Sequence, residues 1–181
     1  MLTACTAAQA HAHAAAPASK SGPGPVPPVP SPDASVDAAS QHKANDWLAG
    51  AAVPPAAARS KTQPVGVANN AAPQMWCQPM AHAVGYWTVP NMPPDDTLAW
   101  LRAHASRGMD VYAGSGNAYT DNATDAGGTV VDQPELGSLE ALIFTVTSVG
   151  SGAGIRADAF TMAADSVCVT PPPGTSLGIG G

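Results

Sequence analysis

Three cysteines carry the most distinctive chemistry in this 181-residue chain: Cys5, Cys77 and Cys168. They lie too far apart for a CxxC redox or zinc pair. Leu2-Thr3-Ala4-Cys5 fits a bacterial lipobox, where small residues admit a signal peptidase and the cysteine thiol takes a diacylglycerol. Histidine, serine and aspartate supply the rest. His82 and His104 are candidate bases, and eleven aspartates are candidate orienting groups. Ser106, Ser115, Ser138 and Ser151 offer hydroxyls, yet none sits in the GxSxG turn that exposes a nucleophile. A Cys77–His82 nucleophile pair lacks a supporting local motif, and His104 reads as a partly buried imidazole on a helix flank with a backbone partner. No catalytic residue is assigned on these grounds, and no cofactor. Arg156 and Asp158 stand two apart on an alternating segment, hence on one face of a strand, and their expected role is a structural ion pair.

Metal and phosphate readings are weaker. His11 and His13 form only a short i,i+2 pair. Asp121, Asp125 and Asp132 lack the spacing and closing glutamate of a calcium loop. Gly114-Ser115-Gly116-Asn117 precedes no helical pattern, so it reads as a turn and not as a phosphate cradle. No metal site is expected.

These residues need a scaffold, and the composition says where it lies. Charged residues make up 11% of the chain, and Gly and Pro number 18 and 19, so bulky apolar residues must concentrate in one region. Residues 1–42 hold no aromatic side chain and read as a disordered Ala/Pro-rich spacer. Residues 43–74 read as a partly ordered linker, with one helical turn near Trp47 and Leu48 docking on the domain. Residues 75–170 form the domain, and 171–181 a flexible Pro/Gly tail. Seven Lys and Arg spread thinly make a poor footprint for nucleic acid, and no apolar run is long enough to span a bilayer.

Within the domain, residues 82–89 alternate as a strand closed by Pro90. Pro94 suits the first turn of a helix reaching Arg107, with Asp95 and Asp96 at its positive end and Gly108 as its stop. Strands follow at 109–113 and, briefly, at 129–131. Residues 139–149 and 155–163 form a β-hairpin across a five-residue glycine-rich connection, 150–154. The expected fold is α+β: a small antiparallel sheet in β-α-β-β-β order, packed against one helix and preceded by the long disordered tail.

Taken in order, Tyr86-Trp87-Thr88-Val89, the helix segment Leu98 to His104 with Gly108-Met109, Gly114-Ser115-Gly116 and Ile155-Arg156-Ala157-Asp158-Ala159 resemble a family of uncharacterised secreted or lipid-anchored proteins from high-GC actinobacteria. The resemblance covers about residues 80–165. Ala157 stands where that family carries valine, and Ala163-Ala164-Asp165 departs from its Trp/Pro-rich finish. It implies export and an envelope setting, and it transfers no activity.

The expected function is therefore a non-enzymatic, envelope-facing binding or interaction domain with an unidentified envelope or extracellular partner. A small hydrolase with an unrecognised site and a structural envelope component without a soluble ligand are the alternatives. Translation from an upstream start implies a secreted or membrane-anchored lipoprotein, touching the membrane only through Cys5. A chain complete as written implies the cytoplasm. Lipidation would consume Cys5, leaving Cys77 and Cys168 as an even pair that an oxidising compartment permits to bridge.

Overall fold

Alternation along two long strands organises the molecule. The computed structural model describes residues 35–67, 76–112 and 127–170. Its elements are α1 (Ala38–Ala49), β1 (Ala58–Ser60), β2 (Cys77–Val89), α2 (Pro94–Ala103), β3 (Asp110–Val111), β4 (Gly128–Gln133), β5 (Ala141–Val149) and β6 (Gly152–Cys168). The six strands form one antiparallel sheet in the order β1-β2-β6-β5-β4-β3. The expected antiparallel α+β class holds, but the expected β-α-β-β-β order and single helix do not. A second helix and a strand precede β2, and four strands follow α2 where the expected order had three; the edge strand β3, expected at 109–113, runs over Asp110–Val111.

Both helices cover the same face. Ala81, Ala83, Trp87 and Val89 of β2 point there, as do Ala153, Ile155, Ala157 and Ala159 of β6. Leu142, Phe144 and Val146 of β5 complete the row, and Ala44, Leu48, Leu98 and Leu101 close it from the helices. Four alanines in the middle of β2 and β6 leave a shallow surface on which α1 lies. Gly85 contributes in the same way, since a methyl group there would fall 2.8 Å from the Trp87 ring. On the opposite face Val131, Ala141, Ile143 and Phe160 form a smaller cluster.

The start of α1 at Ala38 lies inside the stretch expected to be spacer, and the helix runs three turns instead of one. Its packing explains this. Asp37 caps the first turn by accepting from Ser40 N at 2.9 Å and also accepts from Ala164 N of β6 at 2.9 Å. Thr161 Oγ1 donates to Ser40 O at 2.7 Å, and Lys43 Nζ meets Glu140 Oε2 at 2.7 Å. These are long-range partners that a local reading of an alanine-rich segment does not contain.

Helix α2 stops four residues short of the expected Arg107. The chain turns away because Ser106 N donates to the buried Asp132 Oδ2 at 2.7 Å, while Ala52 N donates to Ser106 Oγ at 3.0 Å. Gly108 completes the turn at φ 73°. The β5–β6 connection is also tighter than expected. Val149 pairs with Gly152, so Gly150 and Ser151 alone make the turn, with Gly150 at φ 58°. Gly152 and Gly154 belong to β6. A side chain at Gly152 would collide with Val89 O, and one at Gly154 would meet the Val67 side chain at 2.5 Å.

Candidate functional site

The β2–β6 register places Tyr86 opposite Arg156, Val84 opposite Asp158 and His82 opposite Phe160. All six point away from the helices, because each is out of phase with the alanine row. Arg156 grips Asp158 through two bonds of 2.8 Å, Nε to Oδ2 and Nη2 to Oδ1. His82 Nε2 lies 2.8 Å from Asp158 Oδ1. Its ring stacks on Phe160 with centroids 4.6 Å apart and planes within 3°. Asp158 and Arg156 are nearly enclosed, whereas the His82 side chain is 37% exposed, so the imidazole forms the outer edge of a buried ionic group.

The electrostatics follow from this packing. Burial pushes the Asp158 carboxyl upward, but hydrogen bonds from His82 and Arg156 and their charges outweigh it, and the carboxyl lies below the usual carboxylate range. The hydrogen bond to Asp158 holds the Arg156 guanidinium above its ordinary value against its own desolvation. Asp158 is therefore an anion whose two oxygens are both engaged, and His82 Nε2 donates to it. The sequence pairing of Arg156 with Asp158 did not include His82. No local pattern links them, because residues 76 apart meet only through the strand register.

The hydroxyls and the thiol weighed as nucleophiles are engaged elsewhere. Ser106 Oγ accepts from Ala52 N, Ser138 Oγ accepts from Glu140 N, and Ser151 Oγ lies 3.5 Å from Asn91 Oδ1. Cys77 is bonded to Cys168. His104 caps the end of α2 with Nδ1 2.7 Å from Trp100 O and stacks on the Trp100 ring; it is exposed, not partly buried. Cys5, His11, His13, Gly114 to Asn117, Asp121 and Asp125 lie outside the described residues. Among the described residues, no group of three or more His, Cys, Asp or Glu side chains could hold a metal ion. No described helix is long and apolar enough to cross a membrane.

Beside the ionic group, the sheet edge opens into a groove of about 540 Å³, lined by Arg59, Ser60 and Lys61 from the β1 side and by Val84, Gly85 and Tyr86 from β2. Among the described residues, strand β1 is the last in the sheet, with no neighbouring strand on one side of its backbone. The Arg59 guanidinium stands 5.4 Å from the Trp87 ring centroid. Val84 and Tyr86 join the two features: they line the groove, and their register partners are Asp158 and Arg156. The network thus braces the strand that floors the groove.

Comparison with protein-family models, with curated proteins and with solved structures gave no match.

Proposed function

We propose that this chain is a non-enzymatic, envelope-facing binding domain, and that its partner docks along the β1–β2 edge as an extended acidic segment. The groove beside the last strand of the described sheet carries the reading. Arg59 and Lys61 place two of the chain's seven cations on one edge of a molecule whose net charge is −6. A free strand edge offers main-chain hydrogen bonds, and the side-chain groove beside it supplies selectivity. The doubly engaged Asp158 supports positioning over catalysis, because a carboxylate held by Arg156 and His82 stiffens β2 without activating a nucleophile.

The resemblance to secreted and lipid-anchored actinobacterial proteins supports the envelope setting. The Cys77–Cys168 pair supports export, since such bridges persist in oxidising compartments. On this reading Cys5 carries the anchor.

A blocked Glu-Val-Glu-Val-Glu peptide titrated against the protein tests the site. Saturable binding that weakens with added salt and disappears in Arg59→Glu/Lys61→Glu is expected. Equal binding of the Lys-Val-Lys-Val-Lys peptide, or none of either, overturns it. Hydrolysis of an ester or peptide substrate that is lost in folded His82→Ala would replace the binding reading with a hydrolase.

A further inference from the structure

At the far end of the β2–β6 ladder, sulfur atoms gather. Cys77 pairs with Cys168 and Met80 with Met162, on either side of a register shift between Gln78 and Met80. Cys168 Sγ lies 3.9 Å from Met162 Sδ. Cys77 is fully buried, Cys168 is half-buried and Met162 is 38% exposed, so this group has an enclosed back and an open front.

In the bridged form the two cysteines have no thiolate to offer. A dithiol reductant changes that. It transfers two electrons and two protons, the S–S bond breaks, Cys77 and Cys168 become thiols, and the reductant becomes the disulfide. The paired backbones of β2 and β6 continue to hold the two β-carbons opposite one another. Three sulfurs around one metal at about 2.3 Å stand about 4 Å from each other. The Cys168–Met162 separation already has that length. Two thiolates and a thioether are soft donors, which select Cu(I) over oxygen-seeking cations. Harder ions find no third His, Cys, Asp or Glu ligand among the described residues.

We propose that the reduced chain binds one Cu(I) ion through Cys77 Sγ, Cys168 Sγ and Met162 Sδ. Binding displaces the two thiol protons; an incoming small-molecule disulfide then takes two electrons from the two cysteine thiolates, leaves as two thiolates, re-forms the Cys77–Cys168 bond and releases the ion. The site lies away from the β1 groove and does not depend on it.

The test uses the full chain carrying Cys5→Ser, so that the third thiol cannot compete. Protein reduced by a phosphine is titrated anaerobically with Cu(I) against bathocuproine disulfonate, with X-ray absorption at the copper edge. One Cu(I) per reduced chain, none per oxidised chain and three sulfur neighbours are expected. Met162→Leu alters only a half-exposed side chain. It should weaken competition about tenfold and leave two sulfur neighbours, whereas Met80→Leu should match the parent. Reduced protein that cannot compete with the chelator overturns the proposal. So does Met162→Leu binding as tightly as the parent, because copper is then held by two cysteines alone, as in an unfolded chain.

Discussion

Two buried carboxylates, Asp158 and Asp132, sit in one small sheet and respond oppositely to pH. Asp158 titrates below its ordinary range because His82 and Arg156 outweigh its burial. Its contribution to stability is complete above the ordinary carboxylate pKa and is lost as pH falls through the lower folded value. Asp132 is raised, chiefly by burial, which exceeds the help it receives from Ser106; among the described residues its Oδ1 has no hydrogen-bond partner. Its folded state favours the proton, so stability falls as pH rises from the ordinary value to the raised one. Asp158→Ala should therefore cost about 3–5 kcal/mol at neutral pH, since it breaks a buried ion pair by removing one member. Urea denaturation measures this, and a loss below 1 kcal/mol would show that the pair contributes little. Asp132→Asn keeps an acceptor for Ser106 N and removes the buried charge. It should raise neutral-pH stability and remove that part of the decline above the carboxylate range. Alternation alone made Arg156 and Asp158 same-face neighbours. His82 and Ser106 were legible as candidate base and hydroxyl, but their carboxylate partners were not, because each reaches its carboxylate across the fold.

At the scale of elements, legibility tracked how much of each element's stability is local. Strand β2, helix α2 and the β5–β6 hairpin carry their own periodicity, proline starts and glycine turns. Helix α1 does not: its buried positions are Ser40, Ala44 and Leu48, a stripe with one bulky residue. It exists because β2 and β6 offer a shallow alanine floor and because Asp37 ties its first turn to Ala164. Strand β1 is three residues, Ala-Arg-Ser, identifiable only from its pairing with β2. Asp37→Ala should accordingly speed hydrogen exchange along α1 while leaving β5 unchanged; equal loosening of both would mean that α1 and the sheet open as one unit. The glycines misread as loop make a second case. Gly152 is required by the approach of Val89 O, not by a turn conformation. Gly152→Ala should cost about 1–3 kcal/mol, as overpacked sites do, and thermal melting would reveal it. Gly150→Ala acts by a different route, since its φ of 58° disfavours any side chain without a collision.

For the whole molecule, the Cys77–Cys168 bridge links β2 near its start to the end of β6, with 91 residues of sequence separation. Every described element after β1 lies within that loop. In the chain-entropy view a closure of this length removes freedom from the unfolded chain equivalent to about 4–5 kcal/mol. A small domain has a total stability of about 5–15 kcal/mol, so the bridge is a large share of it but not all. Reduction should lower the melting midpoint by roughly 15–25 °C while the protein stays folded at room temperature. The Cys77→Ser/Cys168→Ser variant should melt with the reduced protein, since both open the same loop. Because the effect resides in the unfolded chain, near-ultraviolet circular dichroism and protection of 142–147 should match the bridged form at room temperature. A variant melting with the oxidised protein would show that the loop adds nothing. One that loses its native spectrum at room temperature would show instead that the bridge holds the folded sheet together.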